Sequence, residues 1–139
     1  MENSQKILIV EDDHFLGDLL VDYLKKHGLR AYLAKDAETA LKMIRQERPL
    51  LVLLDLLLPG MNGLELLETL KNEDIVPDLP VIILSNLSQK EKIEQAINLG
   101  AKDFLVKASF DLSEITQKVK NILGISEEEV KNIPEQPKN

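Results

Sequence analysis

The sequence predicts an α/β protein, a doubly wound three-layer sandwich in which a parallel five-stranded sheet lies between two layers of helices. Short apolar runs typical of strands alternate five times with segments of helical period. Alternating strands and helices form mostly parallel sheets that helices cover on both faces, and right-handed crossovers leave few topologies. The predicted architecture is therefore (βα)5.

The five strands are predicted from short apolar runs. They lie at 7–10, 31–34, 50–54, 81–84 and 104–106. Between and after them, apolar residues recur at three- and four-residue spacing, which is typical of a helix with one buried face. These helices are predicted within 16–24, 37–44, 66–70, 93–97 and 112–122.

Glycines and capping residues mark the predicted helix ends. Three glycines follow periodic segments, where a left-handed residue commonly ends a helix: Gly28, Gly100 and Gly124. Asp13 precedes the first helix and is predicted to be its N-cap, because aspartate is favoured there. Ser88 and Glu91 have the spacing of a capping box, so Ser88 is predicted to cap the fourth helix.

One domain is predicted for residues 1–125, since a chain of 139 residues suits a single full core. After Gly124 the chain becomes polar, and Pro134 and Pro137 would end any helix there. Residues 126–139 are therefore predicted to form a polar tail with, at most, a short helical extension.

The net charge disfavours direct binding to nucleic acid. The chain has 17 basic and 24 acidic residues, a formal charge of −7, and its lysines are scattered rather than gathered into a stripe. It contains no cysteine, no apolar segment of signal-peptide length before the first predicted strand, and no run of about 18 consecutive apolar residues. We therefore expect a soluble cytoplasmic protein with no membrane partner.

Asp55 is the feature of the sequence that most needs an explanation. It is the only polar residue between Leu50 and Leu58. An ionised carboxylate taken out of water is unfavourable by several kcal/mol unless a cation or an array of hydrogen bonds compensates for it. The sequence therefore predicts a compensating charge, and with it a functional site, at the end of the third strand.

Other chemically active side chains follow the remaining strands. Ligands of open α/β sheets bind at the carboxyl ends of the strands. The residues expected at that rim are Glu11, Asp12, Asp13, Asp55, Ser85 and Lys107. An all-oxygen acidic set suits Mg²⁺, and a carboxylate beside Mg²⁺, with a lysine and a hydroxyl opposite, suits phosphoryl transfer. The predicted product is an aspartyl phosphate at Asp55.

Four segments, taken together, resemble the receiver domain of bacterial two-component response regulators over about residues 5–124. They are Ile-Leu-Ile-Val-Glu-Asp-Asp at 7–13, Leu-Asp-Leu-Leu-Leu-Pro-Gly-Met-Asn-Gly at 54–63, Val-Ile-Ile-Leu-Ser at 81–85 and Gly-Ala-Lys-Asp-Phe-Leu-Val-Lys at 100–107. The resemblance implies a flavodoxin-like sheet of strand order 2-1-3-4-5. It suggests a stand-alone response regulator of the chemotaxis-receiver type.

The resemblance also implies roles for the rim residues. Asp55 would accept a phosphoryl group from the phosphohistidine of a sensor histidine kinase or a phosphotransfer protein, and Lys107 would pair with Asp55. Mg²⁺ would be held by Glu11, Asp12 and Asp55, with the carbonyl of Leu57 as a further ligand. Such a protein catalyses its own phosphorylation and dephosphorylation, so it is not an enzyme in the conventional sense.

A conformational switch is part of the same implication. Ser85 would move toward the phosphoryl group and Phe104 would repack inward. The face formed by the fourth helix, the fifth strand and the fifth helix would then change and bind a downstream protein or serve a phosphorelay.

The sequence departs from the family at two positions, which leaves one alternative open. Ala108 follows Lys107 where the family usually has a cis proline, and a cis bond without proline is unfavourable by about 3 to 4 kcal/mol. Asn86 follows Ser85 where the family usually has a small residue. The alternative is a phosphate-silent interaction domain that keeps the receiver fold. A phosphatase is disfavoured, because no second acid lies two positions after Asp55.

Two leucines border the predicted acceptor and hydroxyl positions. Leu57 and Leu87 each lie two residues beyond Asp55 and Ser85, respectively. One interpretation is ordinary core packing. The hypothesis set beside it is that they exclude attacking water and prolong the life of the aspartyl phosphate.

Overall fold

The computed structural model describes residues 6–109 and 111–124. Its five parallel strands form one sheet of order β2-β1-β3-β4-β5. The strands are β1 (Lys6–Val10), β2 (Arg30–Ala34), β3 (Leu51–Asp55), β4 (Val81–Ser85) and β5 (Asp103–Val106). The predicted strands, their parallel arrangement and their order are confirmed, and each strand boundary lies within one residue of its expected place.

Five α-helices cover the sheet. They are α1 (His14–Lys26), α2 (Ala37–Glu47), α3 (Gly63–Asn72), α4 (Lys90–Asn98) and α5 (Leu112–Leu123), with a short 3₁₀ turn at Leu87–Gln89. In the described part of the chain, no helix has the length and apolar character needed to cross a membrane. The predicted tail, residues 126–139, lies outside the described residues, so the domain boundary at 125 stays a prediction.

Alternating strand residues build two separate cores. In β1, Ile7 and Ile9 pack with residues of α1 and α5, whereas Leu8 and Val10 pack with residues of α2, α3 and α4. The same alternation runs through β3 and β4, because successive side chains of a strand point to opposite faces. All residues of β3 and β4 are buried, as expected for central strands covered on both faces.

Most of the predicted helix ends are confirmed. The Asp13 carboxylate accepts hydrogen bonds from the backbone N–H groups of Phe15 and Leu16, so it caps α1. Gly28, Gly100 and Gly124 all have positive φ. The cap predicted at Ser88 is wrong, because Ser88 lies inside the 3₁₀ turn and α4 begins after Gln89.

Candidate functional site

Strand alternation brings Glu11, Asp55 and Lys107 to one side of the carboxyl rim. Glu11 is two residues beyond Ile9, Asp55 two beyond Leu53, and Lys107 two beyond Leu105; those three apolar residues all belong to the core under α1 and α5. Since β1, β3 and β5 are parallel, their carboxyl ends meet at one edge. Three residues far apart in the chain thus become neighbours.

An ammonium group joins the two buried carboxylates. Lys107 Nζ lies 2.9 Å from Asp55 Oδ2 and 3.0 Å from Glu11 Oε1. Glu11 is fully buried and Asp55 is only 2% exposed. Carboxylates at such depth need a counter-charge, and Lys107 supplies the one that the sequence predicted for Asp55.

One lysine does not neutralise two carboxylates. Burial, followed by repulsion from Asp55, raises the pKa of Glu11 from its ordinary value of 4.5 to about 7. Burial alone would lower the pKa of Lys107, but its hydrogen bonds to Asp55 and Glu11 outweigh that effect and raise it. Lys107 therefore stays charged, and the negative charge of the two carboxylates that it leaves uncompensated favours binding of a further cation.

Three carboxylates form a set that fits such a cation. One oxygen from each of Glu11, Asp12 and Asp55 lies within 4.8 Å of the other two. Asp12 is exposed, so this set opens to solvent on one side. Glu11 Oε1 is buried and accepts no hydrogen bond of good geometry, although it lies close to Lys107 Nζ. Carboxylate oxygens that can still accept a ligand bond suit Mg²⁺, which prefers oxygen donors. The Leu57 carbonyl as a further ligand stays a prediction.

The loop after β3 fixes the orientation of Asp55. The backbone N–H of Leu57 donates to Asp55 Oδ1 at 3.0 Å. Gly63, the first residue of α3, donates its N–H to the carbonyl of Leu56 at 3.0 Å. A capping box between Asn62 and Glu65 begins α3 at the end of this loop. Both Asp55 oxygens therefore have fixed partners, one in the loop and one in Lys107.

Replacing Gly63 with alanine is expected to destabilise the protein by about 1 to 3 kcal/mol. A Cβ atom at Gly63 would lie 2.6 Å from the carbonyl oxygen of Asp55 and 2.7 Å from Cα of Leu56, and neither backbone atom can move without displacing the loop. Gly17→Ala is the matched control. Its Cβ would meet only the Leu33 side chain, at 2.8 and 2.9 Å from the two methyl groups and 3.4 Å from Cγ, and a side chain can change rotamer where a backbone atom cannot move. Urea unfolding should show Gly17→Ala within about 1 kcal/mol of the wild type; equal losses in both variants would contradict the steric account.

Among the described residues, the hydrogen bonds of the Ser85 hydroxyl go to Gln89 and the Asn86 carbonyl and not to the acids. Ser85 is 1% exposed, and its hydroxyl donates to Gln89 Oε1 at 2.7 Å, with a longer contact of 3.3 Å to the Asn86 carbonyl. Ser85 alternates with Val81 and Ile83, so its side chain leaves β4 on the face covered by α3 and α4, where Gln89 accepts its hydrogen bond. Gln89 was not among the predicted site residues. The available signal was the spacing of Asn86 and Gln89, which also fits a capping box and overlaps the Ser88 pattern.

Three other predicted features are located by the structure. Phe104 lies on β5 and is 38% exposed, while Leu57 is 49% exposed. The one cis peptide bond between described residues is Val76–Pro77, so the Lys107–Ala108 bond is trans. The Leu87 side chain is not among the described groups, and the water-exclusion hypothesis stays a prediction.

The metal-free protein is expected to lose stability as the pH rises from about 4.5 to 7. The folded-state pKa of Glu11 is about 7 and its ordinary value is 4.5, so between these values the native state binds more protons than the unfolded state. Unfolding then releases protons, and rising pH favours it, by an amount on the order of 3 kcal/mol across the window. Urea unfolding of the wild type and Glu11→Gln in EDTA, between pH 5 and pH 8, measures the difference. Parallel stability profiles would contradict the prediction.

The strand order and the acidic rim with its lysine define a class of protein: flavodoxin-like α/β domains that carry an acidic site at the carboxyl edge of the sheet. Within this class, the family model described as the response regulator receiver domain matches residues 7–120. The chain belongs to this family, the receiver domains of two-component response regulators.

Curated relatives include proteins of two lengths. The chain is 37% identical over 122 residues to sporulation initiation phosphotransferase F of Bacillus subtilis (strain 168), covering 88% of this chain and 96% of that protein. It is 34% identical over 121 residues to transcriptional regulatory protein CrdR of Helicobacter pylori, covering 87% of this chain and 56% of that protein. The chain thus spans about half the length of the transcriptional regulators it matches.

Solved structures agree with the family. The receiver domain of NtrX from Brucella abortus superposes with a TM-score of 0.78 at 34% identity, covering 86% of this chain and 99% of that one. A putative response regulator from Chloroflexus aurantiacus superposes with a TM-score of 0.79 at 30% identity, covering 86% of this chain and 98% of that one. Family and fold therefore rest on both sequence and structural similarity.

Proposed function

We propose that this receiver accepts a phosphoryl group on Asp55 from a phosphohistidine, in a reaction that depends on Mg²⁺. The observation that carries the proposal is the placement of Asp55, whose carboxylate lies between the Lys107 ammonium at 2.9 Å and the acidic set of Glu11 and Asp12. Phosphoryl transfer needs little more than a positioned nucleophile and groups that balance the charge of the transferred oxygens.

Each side chain has a distinct task in this proposal. An Asp55 carboxylate oxygen attacks phosphorus; a P–O bond forms, the P–N bond breaks, and the electron pair leaves with the imidazole. Lys107 holds Asp55 and balances charge on the phosphoryl oxygens. Glu11, Asp12 and Asp55 would hold Mg²⁺, which neutralises developing negative charge when bound. The protein catalyses its own modification, so we class it as a signalling module rather than a conventional enzyme.

The face formed by α4, β5 and α5 is the proposed output surface. Phe104 lies exposed on β5, and a 2.8 Å ion pair between Asp103 and Lys118 connects β5 with α5. We propose that Ser85 and Phe104 change position when Asp55 is phosphorylated and that this face then binds a downstream protein.

A cytoplasmic location and the absence of direct nucleic-acid binding stay predictions, based on the lack of cysteine and the charge of −7.

The phosphate donor is proposed to be a histidine kinase or a phosphotransfer protein, the partners typical of receivers. Similarity over nearly the whole length of a protein named sporulation initiation phosphotransferase F supports a role in phosphotransfer. The chain is also similar to about half of each transcriptional regulator, which supports the same kind of phosphate donor. That similarity does not indicate which downstream protein or process this chain controls.

Incubation with the small phosphodonor phosphoramidate tests the proposal directly. Intact-protein mass spectrometry should show one added phosphate in the presence of Mg²⁺ and none in EDTA, because without the metal ion the charges of the acids and the phosphoryl group repel one another. No Mg²⁺-dependent adduct would refute phosphoryl acceptance and favour the phosphate-silent alternative.

A further inference from the structure

The Ser85 hydroxyl has a single proton, and Gln89 takes it. The donor–acceptor distance of 2.7 Å to Gln89 Oε1 is that of a good hydroxyl hydrogen bond, whereas the Asn86 carbonyl at 3.3 Å is a weak second acceptor. Ser85 is buried, so water does not compete for this proton. A hydroxyl donates one hydrogen bond at a time, so any new acceptor must replace Gln89.

Gln89 lies where β4 is connected to α4. It is the last residue of the 3₁₀ turn and the N-cap of α4, yet its side chain makes no capping bond to that helix. Instead its carboxamide oxygen accepts from Ser85 and, at 3.4 Å, from the backbone N–H of Asn86. One side chain therefore connects the end of β4 to the first turn of α4.

Ser85 is also the neutral donor on the strand next to Asp55. β3 and β4 are paired with Asp55 opposite Leu84, and Ser85 is the next residue toward the rim. Asp55 and Ser85 each end their strand at the carboxyl rim, and a change of the serine χ1 rotamer redirects its hydroxyl. A phosphoryl group on Asp55 would offer a charged acceptor, and hydrogen bonds to charged groups are stronger than those to a neutral amide.

We propose that Gln89 is a positioning residue that restrains Ser85 in the unphosphorylated state and transmits its release to α4. The inference rests on the proposed function, because it takes Asp55 as the phosphoacceptor. When Ser85 donates to the phosphoryl group, Gln89 loses its partner and the start of α4 is freed from β4. Gln89 thereby opposes activation and joins the site to the α4–β5–α5 face.

Removing the Gln89 acceptor is expected to strengthen binding of a phosphoryl mimic. The probe is beryllofluoride with Mg²⁺, measured by isothermal titration calorimetry on the full chain. Gln89→Met keeps the length of the side chain and its helix propensity but abolishes the acceptor. Because one neutral hydrogen bond no longer has to be broken, the Kd should fall roughly 2- to 10-fold. Gln95→Met, an exposed glutamine on the same helix, is the matched control and should leave the Kd unchanged.

A double-mutant cycle separates restraint of Ser85 from a general effect on α4. In a Ser85→Ala background, Gln89→Met should no longer tighten binding, because the hydroxyl that it frees is absent. An unchanged or raised Kd for Gln89→Met alone, or the same tightening in the Ser85→Ala background, would overturn the proposal while leaving phosphoryl acceptance intact. Failure of the wild type to bind beryllofluoride would instead refute the proposed function, and the role of Gln89 with it.

Discussion

Asp55→Asn is expected to abolish the Mg²⁺-dependent incorporation of phosphate. The amide has nearly the size of the carboxylate but is not a nucleophile, so no phosphorus–oxygen bond can form at this position. Lys107 keeps its contact with Glu11 at 3.0 Å, so we expect the variant to fold. Mass spectrometry after incubation with phosphoramidate and Mg²⁺ should show the unmodified mass only.

Asp78→Asn is the matched control for this experiment. Asp78 is an exposed aspartate just before β4, at the edge of the sheet opposite the site. The substitution removes the same charge from the protein without touching the rim, and the variant should gain one phosphate as the wild type does. An adduct that persists in Asp55→Asn would place the acceptor on another residue and contradict the assignment of Asp55.

Lys107→Met is expected to lower the free energy of unfolding by about 3 to 5 kcal/mol in metal-free buffer at neutral pH. The methionine keeps most of the apolar stem but leaves Asp55 and Glu11 buried without a counter-charge. The loss should shrink at low pH, where protonation of Glu11 removes one of the two charges, and on addition of Mg²⁺, which replaces the missing cation. Urea unfolding at pH 5.5 and pH 8, in EDTA and in Mg²⁺, measures all these effects.

Lys118→Met distinguishes the effect of the buried carboxylates bound by Lys107 from the mere loss of a lysine, since the two lysines are exposed to a similar extent but Asp103 is not buried. Lys118 Nζ lies 2.8 Å from Asp103 Oδ2, at nearly the same distance as the Lys107 pairs, but this pair is partly exposed. Exposed ion pairs contribute less than about 1 kcal/mol, so Lys118→Met should be nearly neutral and insensitive to Mg²⁺. Similar losses in both variants would show that the buried carboxylates do not depend on Lys107.

Much of the site could be predicted because it lies at the ends of strands. Apolar runs locate the strands, and the polar residue that follows each run must then lie at the carboxyl rim of a parallel sheet. This local argument predicted the positions of Glu11, Asp55 and Lys107, which the structure brings together. The N-cap role of Asp13 could be predicted for the same reason, since capping depends on the first turn of the helix alone.

The segment between β4 and α4 could not be predicted correctly from local sequence patterns. Two capping patterns overlap in this segment, one beginning at Asn86 and one at Ser88, and only the Ser88 pattern was predicted. The choice depends on the buried Ser85 hydroxyl, which needs an acceptor and finds it in Gln89. A buried hydrogen-bond donor needs an acceptor that is close in space. The identity of that acceptor cannot be predicted from the spacing of residues along the chain.

The sequence alone determined the order in which strands and helices follow one another along the chain and the residues that end each strand at the rim. Hydrophobic period and turn chemistry are local properties, so they can be recognised without the fold. Only the tertiary structure decided that Glu11 is buried beside Asp55, that one ammonium lies between the two, and that the Ser85 hydroxyl donates to Gln89. These outcomes depend on desolvation and on distances between residues such as Glu11 and Lys107, which are 96 positions apart in the chain. Electrostatic energies of this kind depend on the distance between the charges and on their burial. Both are set by the folded structure, so the sequence alone does not give them.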